Sequence, residues 1–188
     1  MSSNILSEVY DVNKFGVIYA GAQKNVSCAG VTVVIVRKDL LDQAMPICPT
    51  MLKWSTQAKD NSLYNTPPCF SIYIASLTLK WLKNLGGIPA IQKINEEKAK
   101  MLYDYIDNSG FYTNPVRPED RSMMNVPFVS PSKELDEEFV AGAEANGIMA
   151  IKGHRLVGGM RASIYNAMPV EGVKHLIAYM QKFAAEHK

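Results

Sequence analysis

A lysine placed directly after an apolar strand can do carbonyl chemistry, and Lys24 has that setting. Phe15-Gly16-Val17-Ile18-Tyr19-Ala20 is a short run rich in β-branched and aromatic residues, which predicts a buried strand. Gly21 and Ala22 leave no bulk at its end, and Gln23, Lys24 and Asn25 follow at once. Gly30 to Val36 predicts a second buried strand, so Lys24 lies in the connection between two core strands. Such a lysine can be a solvated loop charge. Fixed at the floor of a cleft, it would be partly desolvated, and with a cation nearby its ammonium pKa would fall, making the amine a nucleophile for carbonyls.

Two further stretches could handle anions. Lys152-Gly153-His154-Arg155-Leu156-Val157-Gly158-Gly159-Met160-Arg161 joins a Gly-rich loop to an apolar strand. It can be a plain basic hairpin. Gly158-Gly159 would also permit close approach of a ligand, and Arg161 would be buried on its strand unless it met an anion. A guanidinium grips a carboxylate in a two-pronged fork that lysine cannot reproduce. The other stretch is Tyr64-Asn65-Thr66-Pro67-Pro68 ahead of the apolar Phe70 to Leu85. Thr66 is a good N-cap and Pro67 a good first helical residue, which suffices to explain them as a helix start. A helix N-terminus flanked by an amide and a hydroxyl also suits a phosphate.

The elements that must position these groups follow from patterning. Met1 to Lys14 is polar and aperiodic, a loose terminus if taken alone. Asp39 to Met51 predicts a short helix and a Pro-rich loop, because Pro46 and Pro49 interrupt it. Leu85-Gly86-Gly87 closes the helix that starts near Phe70, and Ile91, Ile94, Ala99, Leu102 and Ile106 mark a helix from Ile88 to about Asn108. The double glycine sets a domain boundary, giving 1–86 and 87–188. Beyond it the pattern predicts a strand (Met123 to Val129), a helix (Ser132 to Asn146), strands at Ile148 to Lys152 and Met160 to Tyr165, and a helix from Pro169 to about Glu186. That mixture is an α+β domain. Glu134, Asp136, Glu137 and Glu138 form a charge run expected on a solvated helix face.

Composition excludes several classes. In 188 residues the net charge is +2 with both signs interspersed, so neither nucleic acid nor an anionic membrane surface is an expected partner. Cys28, Cys48 and Cys69 are odd in number and lack a CxxC pair, which argues against a disulfide framework or a structural zinc and for a reducing compartment. Met1-Ser2-Ser3-Asn4 opens no signal peptide, and no apolar run approaches the roughly 20 residues of a membrane span. A cytoplasmic location is the expectation.

Tyr19-Ala20-Gly21-Ala22-Gln23-Lys24-Asn25 closely resembles the Schiff-base lysine segment of the phosphoserine aminotransferases, fold-type I enzymes that use pyridoxal phosphate. The resemblance runs from Ser2 to Phe183, recurs at Asn65-Thr66 and is nearly residue for residue over the Lys152–Ser163 stretch. It begins in the middle of that enzyme. It implies an α/β chain made of the carboxyl-terminal part of the large cofactor-binding domain (1–86) and an α+β small domain (87–188). Lys24 would hold pyridoxal phosphate, with Gln23 near the cofactor phosphate and Asn65 and Thr66 meeting that of the neighbouring subunit of a homodimer. Arg161 would bind the substrate α-carboxylate, and His154 and Arg155 the phosphate of O-phosphoserine. Glutamate, 2-oxoglutarate and 3-phosphooxypyruvate complete the implied substrates, in serine biosynthesis.

The sequence also departs from that pattern. Asn25-Val26-Ser27-Cys28-Ala29-Gly30 stands where the family usually reads Asn-x-Gly-Pro-Ala-Gly, so a serine restricts the turn and a fixed proline φ is lost. The family aspartate facing the pyridine nitrogen would precede Met1, and Asp11 does not match it. His175 and His187 match no family role. The expectation is therefore a partial chain without activity alone; the alternatives are a truncated, non-catalytic dimerisation or anion-binding module, or a relative with other amino donors or acceptors.

Overall fold

Two short antiparallel strands, β1 (Val17–Gly21) and β2 (Thr32–Val36), organise the first part of the chain. They pair from Val17↔Val36 to Gly21↔Thr32. The computed structural model describes residues 1–187, in two compact units: Met1–Gly87 and a second beginning at Ile88. The strands differ from expectation in burial. Ile18 and Ala20 are buried, but Val17, Tyr19, Val34 and Ile35 are exposed, Tyr19 to 66%. The continuous apolar runs predict cover on both faces, and a two-stranded sheet with two open edges supplies little of it.

Met1 to Lys14 is not loose. Ile5 and Ser7 are buried, the Gly21 N–H donates to Ser2 Oγ (2.9 Å), and Asn25 reaches back to the same segment. No loose-terminus pattern applies, because the anchoring donors come from residues about 20 positions later. Between Val36 and the next long helix lie 3-10 turns at Lys38–Leu40 and Thr50–Leu52 and one short helix, α1 (Trp54–Lys59), which the Pro-rich composition had not suggested.

The next helix, α2 (Cys69–Leu85), starts later than predicted: Pro68 occupies the N-cap position, no side chain caps it, and Thr66 stays outside. Two consecutive prolines explain the shift. Each disfavours helical geometry in the residue before it, so Thr66 and Pro67 stay outside the helix. The far end is the expected glycine stop, with Gly86 at φ 110° and the Gly87 N–H bonding back to Leu82 O at 2.9 Å.

In the second unit, α3 (Ile88–Asn108) packs with β3 (Asn125–Phe128), α4 (Lys133–Ala145), β4 (Met160–Ser163) and α5 (Val170–Glu186). β3 and β4 are antiparallel, with Val126↔Ala162 and Pro127↔Arg161 in register. Val126, Phe128, Met160 and Ala162 therefore face the core, and Arg161 stands on the other face. The strand expected at Ile148 to Lys152 is only a single bridge, Lys152↔Met160. Ala150 takes φ 57°, which no strand accommodates. The core of this unit is made from its own residues. Phe139 meets Tyr112, Phe128 and Phe183 edge-on, at centroid distances of 5.9, 5.7 and 5.1 Å. Arg121 forms a two-pronged pair with Asp107 (2.6 and 2.8 Å) and lies over the Tyr103 ring, fastening the loop before β3 to α3.

Candidate active site

Lys24 sits in a tight turn that β1 runs into directly. Ala22 N donates to Val31 O (3.0 Å), and Val26 N and Ser27 N both donate to Ala22 O (3.2 and 2.7 Å), so one carbonyl gathers the turn. Ala20 and Ala22 are wholly buried, while Gln23 and Lys24 are exposed. The cleft floor expected around Lys24 is thus not built by this chain, because the sheet face beside it is uncovered. A Cβ on Gly21 would stand 2.6 Å from Gln23 Oε1, so the amide folds back over the bare backbone there.

Asn25 is the residue that fixes this turn, a role the sequence motif contains without announcing. It is 5% exposed, and its Nδ2 donates to Ser3 O and Ile5 O, both at 2.9 Å. Ser27 and Cys28 fit without strain. Ser27 is not among the positive-φ residues, and its hydroxyl donates to Ser71 O on α2 (2.6 Å). The Ser71 hydroxyl beside the Cys28 thiol holds it below its usual pKa. Gly30 lies at φ 121°, where a Cβ would come within 2.8 Å of Ser71 Oγ, so only glycine brings β2 past α2 here. Asn65 and Thr66 lie exposed ahead of α2, and Asn65 Nδ2 donates to Thr66 O at 3.3 Å.

In the second unit, His154 and Arg155 share one exposed loop, closed by Gly153 N to Gly159 O (2.8 Å) and Gly158 N to His154 O (2.8 Å). Gly153 and Gly159 serve the chain's own closure, while the space beside Gly158 is open. A Cβ on Gly153 would meet Gly158 O at 2.0 Å, and one on Gly159 would stand 2.8 Å from Phe128 O. With α4 the loop bounds a cavity of about 550 Å³, where Glu137 and Glu144 face the basic side. Asp136 is not part of a solvated face: it is buried, accepting from Ser130 N (2.8 Å) and Ser130 Oγ (2.6 Å). Arg161 is half-buried on β4, its Nε is buried without a hydrogen-bond partner, and it joins no ion pair among the described residues. A buried guanidinium nitrogen without a partner carries a desolvation cost.

Sequence reasoning missed Asn95 and Lys98, both fully buried on α3. Their signal was present: positions 91, 95, 98, 102 and 106 form one helical stripe, and two of them are polar. Among the described residues no cluster of three or more His, Cys, Asp or Glu could hold a metal ion, and no helix is long and apolar enough to cross a membrane.

The chain belongs to the class-V aminotransferase family, whose model matches residues 1–176. Within that family it is similar to the phosphoserine aminotransferase of Bacillus cereus, with 56% identity over all 188 residues and 52% of the relative. Its fold matches the phosphoserine aminotransferase structure from Bacillus circulans subsp. alkalophilus at a TM-score of 0.96, with 50% identity, over all of this chain and 52% of that one. The pyridoxal-phosphate-bound phosphoserine aminotransferase of Trichomonas vaginalis matches at 0.91, with 43% identity, over 96% and 52%. The chain spans about half the length of the curated relatives it matches.

Proposed function

We propose that this chain supplies the lysine-bearing and carboxylate-binding part of a phosphoserine transaminase. That enzyme would exchange the amino group of glutamate for the oxo group of 3-phosphooxypyruvate, giving O-phosphoserine and 2-oxoglutarate. It would act in the cytoplasm, in serine biosynthesis, as a homodimer. The observation that carries the reading is Arg161, a half-buried guanidinium whose Nε has no partner. A carboxylate would satisfy it in the fork geometry that both amino-acid substrates can present.

Pyridoxal phosphate is the cofactor this reading requires, and the residues present fit it. Bare backbone at Gly21, buried alanines on either side and a hydrogen-bonded turn set Lys24 directly at the end of β1 with no bulky residue before it. Lys24 would hold the cofactor covalently through Nζ, with Gln23 near its phosphate, and Asn65 and Thr66 would meet the phosphate bound in the neighbouring subunit. When bound, the cofactor supplies an electron sink for the substrate α-carbon. The Lys24 amine then serves as the base that moves the α-proton. Arg161 orients the α-carboxylate, and His154 and Arg155 select a phosphorylated substrate; their exposure suits groups that act on a ligand approaching from outside their own unit.

The chain alone is expected to show no turnover, since the outer face of β1 and β2 is bare. The test incubates this chain with pyridoxal phosphate and borohydride, alone and with the remaining half of the Bacillus cereus relative supplied as a second polypeptide. The label should map to Lys24, and turnover of glutamate with 3-phosphooxypyruvate should appear only in the complemented sample. Labelling of another lysine with Lys24 untouched would sink the assignment.

A further inference from the structure

Lys98 is a full positive charge in the interior of the second unit, and the residues it touches lead to Arg161. Lys98 is 0% exposed, and among the described residues it forms no ion pair. Its Nζ instead donates to three backbone carbonyls: Ile164 (3.1 Å), Tyr165 (2.9 Å) and Met168 (3.0 Å). One turn earlier on α3, Asn95 Nδ2 donates to Asn166 Oδ1 at 2.9 Å. Four donor contacts from one helix face therefore land on residues 164–168. That segment continues β4 directly. Ile164 is also held from the other side, its N–H donating to Met124 O (3.0 Å), while the Ser163 and Tyr165 hydroxyls both donate to Asn125 Oδ1 (3.4 and 3.2 Å).

Stability alone is a poor reason for this arrangement. Burial pushes the Lys98 ammonium down to about 8, so the fold meets a desolvation cost that its three hydrogen bonds must offset. What an ammonium offers and a methionine does not is three donors, which fix three carbonyls relative to one point. Arg161 lies three residues before the first of those carbonyls, on a strand of only four residues. A short strand takes its twist and register from what holds its ends.

We propose that Lys98 is a positioning residue for substrate recognition: by gripping the backbone at 164–168 it sets the aim of Arg161. This rests on the reading of Arg161 as the carboxylate ligand. Lys98 touches no substrate atom itself.

The test follows the Arg161 Nε–H resonance in the ¹⁵N-labelled chain, complemented with the remaining half of the Bacillus cereus relative, while 2-oxoglutarate is added as the probe. In the parent chain the resonance should move saturably. Lys98→Met should weaken that response about tenfold, beyond what the lower thermal midpoint expected from three carbonyls left without their donor accounts for. Lys98→Gln keeps two of the three donors and should restore part of the response, and it carries the comparison if Lys98→Met does not fold. A parent resonance that ignores 2-oxoglutarate overturns the carboxylate reading and this proposal with it. Equal responses in parent and variants overturn this proposal alone. A weakened response that merely tracks a lower midpoint, unrescued by glutamine, assigns Lys98 to stability and also overturns it.

Discussion

Replacing Asn25 by alanine removes two hydrogen bonds that tie the Lys24 turn to the segment around Ile5. Both run at 2.9 Å from one amide nitrogen, and the bond to Ile5 O is fully buried. A net hydrogen bond is worth about 1 kcal/mol, and a buried acceptor left without a donor costs about 1–3 kcal/mol. Water can reach Ser3 O but not Ile5 O, so the expected loss is about 2–3 kcal/mol. Asn25→Asp should cost at least as much, because a carboxylate would face two carbonyl oxygens. Urea unfolding followed by circular dichroism gives the size of the effect, and limited proteolysis shows whether cleavage opens between Met1 and Lys14. Acylation of Lys24 by an amine-reactive reagent should meanwhile persist, since the lysine is already exposed. A variant within about 0.5 kcal/mol of the parent, with the amino-terminal segment still protected, would refute the account of Asn25 as the anchor of the turn.

Three other outcomes are expected. Gly159→Ala places a Cβ 2.7 Å from Val129 Cγ1 and 2.8 Å from Phe128 O at φ 63°, so thermal melting should show a loss of about 2 kcal/mol or more. In the complemented enzyme, His154→Ala or Arg155→Ala should impair O-phosphoserine more than glutamate, by about 1.5–3 kcal/mol for a lost charge-assisted bond; equal losses would mean that neither residue meets the phosphate. Lys98 has a folded pKa near 8 against the usual 10.5, so the unfolded chain binds more protons between those values. The parent should therefore gain stability relative to Lys98→Met as pH rises through that window, and lose it as pH falls through about 8, as read by chemical denaturation at each pH.

The sequence made the long periodic elements legible and left the closures hidden. α3 and α5 lie almost where their apolar spacing puts them, because a 3.6-residue stripe over some 20 residues has few competing explanations. The start of α2 was misplaced because a good capping residue and two prolines pull in opposite directions, and the steric effect of proline on its predecessor wins. The apolar runs at β1 and β2 implied burial that this chain cannot provide by itself. At the candidate site, the chemistry-bearing residues could be named from their resemblance, whereas the groups that hold them could not. Asn25, Asn95 and Lys98 act through bonds to backbone or to partners 20 to 71 residues away. No local pattern encodes such pairings; only polar residues on an otherwise apolar stripe hint at them.

The aromatic make-up of the two units differs in kind, and that has a practical consequence. Both tryptophans, Trp54 and Trp81, belong to the Met1–Gly87 unit, while the interlocked rings of Tyr112, Phe139, Tyr179 and Phe183 belong to the other. Indole emission excited at the red edge therefore reports on the first unit only. Near-ultraviolet tyrosine signals, which need a rigid asymmetric setting, come largely from the second. One unlabelled sample thus carries two optical channels, and unfolding of either unit can be followed without the other's signal.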